Sequence, residues 1–146
     1  MRIYLACTVR GDRGAVAALR ELVHDLETGG HTVLTRHLLE DNVETSESAL
    51  TERQVFDRDI AWLDACDLLI ADASGSSFGV GFEVGYVLGR SERTQQRVLV
   101  LYRADCRDVI SRLIVGLTHP RCHLIAYADA ASLVESVSRQ VPPVSR

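Results

Sequence analysis

The chain has 146 residues, a length typical of one domain, and 25% of them are charged while 47% are hydrophobic, as in a globular protein. With 16 basic against 20 acidic residues the formal net charge is -4, which argues against a general nucleic-acid binder. Every basic residue is an arginine. The absence of lysine excludes a Schiff-base lysine, a lysine general base and a P-loop of the Gly-Lys-Ser/Thr type.

Membrane and export signals are not expected from the sequence. The longest apolar stretch is interrupted by Asp67, Asp72 and Glu83, so that no segment reaches transmembrane length. The amino terminus runs directly into a strand-like segment, from which we expect no signal peptide. The four cysteines form no C-x-x-C pair, and we expect them to be reduced thiols in a cytoplasmic protein.

Short apolar runs alternate with helical periods along the chain. In chain order the pattern predicts strand 2–6, helix 14–28, strand 32–35, helix 46–66, strand 67–72, helix 80–90, strand 97–102, helix 107–116, strand 122–127 and helix 129–139. The polar segment 40–47 is predicted to be a mobile loop. Residues 1–140 are expected to form a single domain, and residues 141–146 a disordered tail.

Five strands that alternate with five helices indicate an α/β fold. We expect a doubly wound five-stranded parallel sheet, flavodoxin-like or Rossmann-like, with helices on both faces. In such folds the site lies at the carboxyl ends of the strands, near the point where the strand order reverses. The segments expected to contain it are therefore 6–13, 36–47, 72–83 and 103–111.

The first strand is followed by a loop of small residues, from Cys7 to Gly14, that leads into a helix. Such a loop can present backbone N–H groups to an anion, and Arg10 can add a two-point charged contact. The spacing is not G-x-G-x-x-G, so a dinucleotide site is weakly supported. The alternative is an ordinary strand-to-helix turn with an exposed arginine.

Glu83 is the only charged residue between Asp72 and Arg90, and its neighbours are apolar. An unpaired buried carboxylate is costly, so it usually has a partner or a chemical task. The alternatives are a carboxylate that favours the helix dipole and a buried glutamate paired with arginine. Because Glu83 lies beyond the first turn of its helix, we favour a functional role.

Asp59 is the one acid in the apolar arc of the predicted helix 46–66, whereas Asp57 and Asp64 lie on the opposite side. Two carboxylates in one site allow one to act as an acid and the other as a nucleophile. A salt bridge from Asp59 to a neighbouring arginine is the alternative.

The run from His119 to His123 contains three side chains of types that bind zinc. Cys122 and His123 begin a strand, however, so their side chains point to opposite faces. We therefore predict no metal site, and nothing in the sequence indicates a cofactor.

Four segments taken together resemble a known family. They are YLACTVRG at 4–11, DxxWLxxxD at 59–67, SFGVGFExG at 77–85 and SxxIxG at 111–116. In this order they are similar to the 2'-deoxynucleoside 5'-monophosphate N-glycosidases of the nucleoside 2-deoxyribosyltransferase-like superfamily. The resemblance extends over almost the whole chain.

This resemblance implies a role for each matching residue. Glu83 matches the nucleophile that attacks C1′ of the sugar, Asp59 the acid that protonates the departing base, and Tyr4 the tyrosine that positions the nucleophile. His37 matches a histidine near the sugar and base. Ser111 matches a serine donated by the neighbouring subunit, so that a homodimer is implied.

The 5′-phosphate of a nucleotide substrate is the implied ligand of the first loop and of the turn before Glu83. The matching positions are Cys7, Thr8, Val9, Arg10, Gly11, Ser77 and Gly79. The family usually has glycine and serine where this chain has Cys7 and Thr8. Thr8 retains the hydroxyl, Cys7 adds bulk, and the size of Val9 is expected to influence whether a 2′-hydroxyl is accepted.

The sequence therefore predicts a hydrolase that releases the base from (2′-deoxy)nucleoside 5′-monophosphates. One alternative is a nucleoside 2-deoxyribosyltransferase, which passes the sugar to a second base; Arg10 with the hydroxyls of Thr8 and Ser77 favours a phosphorylated substrate instead. The other is a non-catalytic nucleotide-binding module, which gives no reason for an isolated carboxylate at Glu83.

Overall fold

A computed structural model describes residues 1–144. Its centre is a five-stranded sheet in the order β2-β1-β3-β4-β5, and all neighbouring strands are parallel. The strands are β1 (Arg2–Ala6), β2 (Thr32–Val33), β3 (Leu68–Asp72), β4 (Arg97–Arg103) and β5 (Cys122–Tyr127). The predicted doubly wound, Rossmann-like α/β fold is thus confirmed.

Helices cover both faces of the sheet. They are α1 (Val16–Thr28), α2 (Val43–Ser48), α3 (Glu52–Ala65), α4 (Phe78–Leu88), α5 (Ser91–Thr94), α6 (Arg112–Val115) and α7 (Ala130–Ser138), with 3₁₀ helices at Arg36–Leu39 and Ala104–Val109. Among the described residues, no helix has both the length and the apolar character needed to cross a bilayer.

The two faces of the sheet form two separate core layers because successive side chains of a strand point in opposite directions. Ile3 and Leu5 pack in the layer that contains α1 and α7. Tyr4 and Ala6 pack in the layer that contains α3 and α4. Tyr4 is therefore placed on the face that holds both predicted carboxylates.

The strand order reverses at β1, since β2 pairs with one side of it and β3 with the other. The loops that follow β1 and β3 consequently lie side by side at the carboxyl ends of the strands. Gly75 permits their close approach, because a Cβ there would lie 2.5 Å from Cγ2 of Thr8. This edge is where the sequence places the site.

The predicted helix 46–66 is wrong as a single element, and so is the predicted loop 40–47. The first helix ends at Ser48, and Thr51 caps α3, accepting a hydrogen bond from the backbone N–H of Gln54 while the Gln54 side chain accepts one from the Thr51 N–H. The preceding segment forms α2, which Val43 anchors in the core.

Three further segments also differ from the prediction in where they begin or end. Strand β2 is shorter because the Thr35 hydroxyl bonds both backbone groups of Leu5, at 2.8 and 2.6 Å, in place of the ladder. The predicted helix 107–116 breaks at Ile110, whose extended backbone carries its side chain into the core. In the predicted tail Val141 is buried, and the Val144 N–H donates to the carbonyl of Gly29, although residues 142–144 are exposed; residues 145–146 lie outside the described part of the chain.

Candidate active site

A cavity of about 700 Å³ opens at the carboxyl ends of β1 and β3, between α2, α3 and α4. Tyr4, Asp59 and Glu83 come together in its wall. The other lining residues are Cys7, Thr8, Val9, Arg10, Leu38, Glu47, Ser48, Leu50, Glu52, Val55, Phe56, Ile60, Leu63, Ser77, Gly79, Val80 and Phe82. A volume of this size accommodates a small-molecule ligand.

Tyr4 and Glu83 form a direct hydrogen bond. The Tyr4 hydroxyl, on a side chain that is 1% exposed, donates to Oε1 of Glu83 at 2.6 Å. Glu83 projects from the second turn of α4, which Ser77 begins by accepting a hydrogen bond from the Val80 N–H. The bond engages one carboxylate oxygen and leaves Oε2 available to a ligand.

The environment of Glu83 raises its pKa to about 7. Burial is the main cause, because it disfavours the charged carboxylate, and the nearby negative charge of Asp59 acts in the same direction. The hydrogen bond from Tyr4 opposes both effects. The pKa of the Tyr4 hydroxyl is itself raised, by burial and by Glu83, so Tyr4 remains a proton donor to the carboxylate.

Tyr4→Phe is expected to raise the pKa of Glu83 further, because it removes the hydrogen bond that favours the anion. The acid limb of the kcat/KM profile should move to higher pH, and activity at pH 7 should fall about 10-fold or more. A pH series on the variant tests this, with Tyr102→Phe on β4 as the control. An unshifted acid limb would disprove the role of the hydrogen bond.

Asp59 lines the cavity and also makes an ion pair. Its Oδ1 accepts a hydrogen bond from Nε of Arg58 at 2.8 Å. The arginine salt bridge that was the alternative to an acid role is therefore present. It occupies one carboxylate oxygen, and among the described residues no hydrogen bond engages Oδ2.

Arg58 belongs to a larger group of side chains, which we call the Glu47–Arg58 cluster: His37, Glu47, Arg58, Asp59 and Trp62. Arg58 donates from Nη1 and Nη2 to the two oxygens of Glu47, at 2.8 and 3.0 Å. Nε2 of His37 lies 3.3 Å from Oε1 of Glu47, and the His37 ring packs against Trp62 with centroids 5.6 Å apart. His37 thus contacts Glu47 and Trp62 but does not line the cavity.

The loop after β1 is held in a defined shape. The Thr8 hydroxyl donates to the Arg10 carbonyl at 3.1 Å, and Gly11 adopts a φ of +129° that other residues rarely adopt. Arg13 donates to the carbonyls of Thr8 and Leu38, at 2.9 and 3.0 Å, and so joins the loop to the 3₁₀ helix after β2.

Arg10 is the basic side chain of this loop that is most open to solvent. It is 81% exposed and lies 3.8 Å from Glu44, which is also largely exposed, so that the ion pair contributes little. The guanidinium can therefore turn towards an anion at the mouth of the cavity. Of the other predicted residues, Gly11, His37 and Ser111 do not line the cavity, and Ser111 lies in an adjacent apolar depression.

Residues 3–135 match the family model described as nucleoside 2-deoxyribosyltransferase. The chain belongs to this family. It is 37% identical over 142 residues, 97% of this chain and 96% of the other, to a protein of Thermofilum pendens provisionally named 2'-deoxynucleoside 5'-phosphate N-hydrolase 1. It is 33% identical over 117 residues, 80% of this chain and 78% of the other, to the 5-hydroxymethyl-dUMP N-hydrolase of Danio rerio.

A solved structure shares the fold of this family member. The CMP N-glycosidase of Clostridium botulinum superposes with a TM-score of 0.70 at 20% sequence identity, covering 96% of this chain and 99% of that one. The likeness shows that the same α/β arrangement is used in both proteins.

Proposed function

We propose that this chain hydrolyses the N-glycosidic bond of (2′-deoxy)nucleoside 5′-monophosphates, releasing the free base and (deoxy)ribose 5-phosphate. The observation that supports this most is the Tyr4–Glu83 hydrogen bond in the wall of a cavity that Asp59 also lines. Two carboxylates and an anion-binding loop are the groups this reaction needs. The names of the two relatives point to the same bond.

In the first step Glu83 attacks C1′ of the sugar from the side opposite the base. A lone pair of Oε2 forms the new C1′–O bond while the electron pair of the C1′–N bond moves to the base. The reacting form carries one proton between the two carboxyl groups, on Asp59, and the base nitrogen, or an atom conjugated with it, takes this proton. Tyr4 holds Oε1 throughout, so that the attacking oxygen keeps its direction.

In the second step water completes the hydrolysis. Asp59, now a carboxylate, takes a proton from the water, and the water oxygen bonds to C1′ as the bond to Glu83 breaks. Glu83 leaves as a carboxylate and Asp59 regains its proton. The sum is one nucleotide and one water converted into a base and a sugar phosphate.

The 5′-phosphate is assigned to the loop after β1 and the start of α4. The Thr8 and Ser77 hydroxyls, the exposed Arg10 guanidinium and the first N–H groups of α4 all lie along this side of the cavity. Phosphate binding far from C1′ orients the sugar, so its loss should lower turnover as well as affinity.

A substrate panel tests the proposal. The protein is incubated with deoxynucleoside monophosphates, ribonucleoside monophosphates and free nucleosides, with and without a second base, and free base is measured by chromatography. Release from monophosphates is expected. Release from none of them would refute the proposal, and base exchange on free nucleosides would instead establish a deoxyribosyltransferase.

Arg10→Met is expected to lower kcat/KM for monophosphates about 10- to 100-fold, because a charge-assisted contact to phosphate is lost. Activity on free nucleosides, where measurable, should not change. Arg93→Met, on the exposed side of α5, is the matched control. Equal losses on both substrate classes would contradict the assignment of Arg10 to the phosphate.

We also propose that a second copy of the chain completes the site. Phe78 is 100% and Leu113 82% exposed around Ser111, in an apolar depression that shares Ser77 and Phe82 with the cavity. A partner covering this face would bring its own Ser111 towards the substrate.

Leu113→Glu should therefore convert a dimer into a monomer, measured by sedimentation, and should lower activity. A wild type that is monomeric and fully active would contradict the proposed dimer.

A further inference from the structure

One guanidinium connects α2 to the predicted acid on α3. Arg58 uses Nη1 and Nη2 for the two oxygens of Glu47 and Nε for Oδ1 of Asp59. The five donors of an arginine lie in a rigid plane, so occupying three of them fixes its orientation. The carboxylate of Asp59 is therefore directed by a residue that is itself held from another helix.

Burial and packing strengthen this arrangement. The side chains of Glu47 and Arg58 are only 16% and 22% exposed, which reduces screening by water. Cζ of Arg58 lies 5.0 Å from the centre of the Trp62 ring. His37 also contacts Glu47, with Nε2 at 3.3 Å from Oε1. The ion pair of Arg53 with Asp57 on the same helix is exposed and lacks this burial and packing.

We propose that Glu47 and Arg58 are positioning residues for departure of the base: Glu47 fixes Arg58, and Arg58 directs the Asp59 carboxyl at the leaving group. This inference rests on the proposed function. An acid must lie within hydrogen-bond reach of the atom it protonates, and a carboxyl group free to rotate spends little time there. Both oxygens of Glu47 accept hydrogen bonds from Arg58, and this guanidinium is the link through which Glu47 acts on Asp59.

Leaving-group chemistry separates this role from a general structural one. In a nucleotide, the electron pair of the C1′–N bond moves onto the base, which needs a proton from Asp59. In 4-nitrophenyl 2-deoxy-β-ribofuranoside 5-phosphate, the electron pair of the C1′–O bond moves onto the phenolate oxygen and is delocalised into the nitro group. That leaving group departs as an anion and needs no proton, although it still needs Glu83.

The experiment compares kcat for the best natural monophosphate with kcat for the nitrophenyl compound. Glu47→Gln is expected to lower kcat for the nucleotide about 10- to 100-fold, part of what a general acid contributes, and kcat for the nitrophenyl compound less than about 3-fold. KM should change little for either. Asp57→Asn, in the exposed pair with Arg53 on α3, should leave both rates unchanged.

Arg58→Lys provides a second variant that retains the positive charge. An ammonium group cannot hold both carboxylates in the planar geometry of a guanidinium, so the same selective loss is expected. Circular dichroism of both variants verifies that they are folded, and a variant that is unfolded is replaced in the comparison by the other or by Glu47→Asp.

The outcomes distinguish the two proposals. A wild type that releases base from no nucleotide refutes the proposed function. A wild type active on nucleotides, with variants that slow both substrates equally or neither, refutes only the positioning role. A wild type that hydrolyses nucleotides but not the nitrophenyl compound refutes it too, because the division of work between Glu83 and Asp59 would then be wrong.

Discussion

Glu83→Gln is expected to lower base release from monophosphates by about 10⁴-fold or more, because the amide cannot form the bond to C1′. The substitution keeps the size of the side chain, and Tyr4 can still donate to the amide oxygen. The loss should therefore appear in kcat, with little change in nucleotide binding measured by calorimetry. Glu92→Gln on α5 is the control.

The same substitution is expected to stabilise the fold at high pH. Burial raises the pKa of Glu83 from 4.5 to about 7, so between these values the folded protein keeps a proton that the unfolded chain has lost. The contribution of Glu83 to stability is thus most favourable below the unfolded pKa and decreases as pH rises through the folded one. Above pH 7 it costs about 3 kcal/mol.

Denaturation at two pH values tests this linkage. Glu83→Gln should be more stable than the wild type by about 3 kcal/mol at pH 8, and the difference should nearly disappear at pH 4.5. Such a gain on removing a catalytic group is expected where an active site holds a charge at the expense of stability. A variant that is less stable at pH 8, or a gain independent of pH, would contradict the assigned pKa.

Asp59→Asn is expected to lower kcat about 10²- to 10⁴-fold, the usual contribution of a positioned acid. Because the negative charge of Asp59 raises the pKa of Glu83, the acid limb of the kcat/KM profile should also move to lower pH. Asp57→Asn, on the exposed side of the same helix, tests for unspecific effects.

A different result would reassign the residue. If Asp59→Asn retained full activity, the ion pair with Arg58 would be its whole role. If activity fell without any movement of the acid limb, Asp59 would keep its role as proton donor, but its charge would have no effect on the pKa of Glu83.

The fold could be predicted because strands buried on both sides are nearly continuous apolar runs, and these alternate regularly with helical periods. Glu83 and Asp59 could be proposed as site residues for a related reason, because Glu83 is the only charge in an apolar stretch and Asp59 is the one acid in the apolar arc of its helix. The structure brings both to the wall of one cavity. The segments that carry Glu83 and Asp59 meet because the sheet order places β1 between β2 and β3.

The break between α2 and α3 was missed because no glycine or proline marks it. The signal is the pair Thr51 and Gln54, a capping box within an otherwise polar stretch. The pairing of Glu47 with Arg58 could not be predicted from spacing, since the two residues lie on different helices and their contact depends on the angle between these helices. Ser111 lies outside the cavity, and this position likewise depends on the break of the predicted helix at Ile110.

Methanolysis tests most directly the claim that Glu83 bonds to C1′. In water with methanol, displacement of the base by Glu83 and then of Glu83 by methanol inverts C1′ twice, so the methyl glycoside 5-phosphate should keep the β configuration of the nucleotide. Proton NMR of the product distinguishes the two anomers. The β anomer is the predicted result; the α anomer, formed by a single displacement, would contradict covalent catalysis by Glu83.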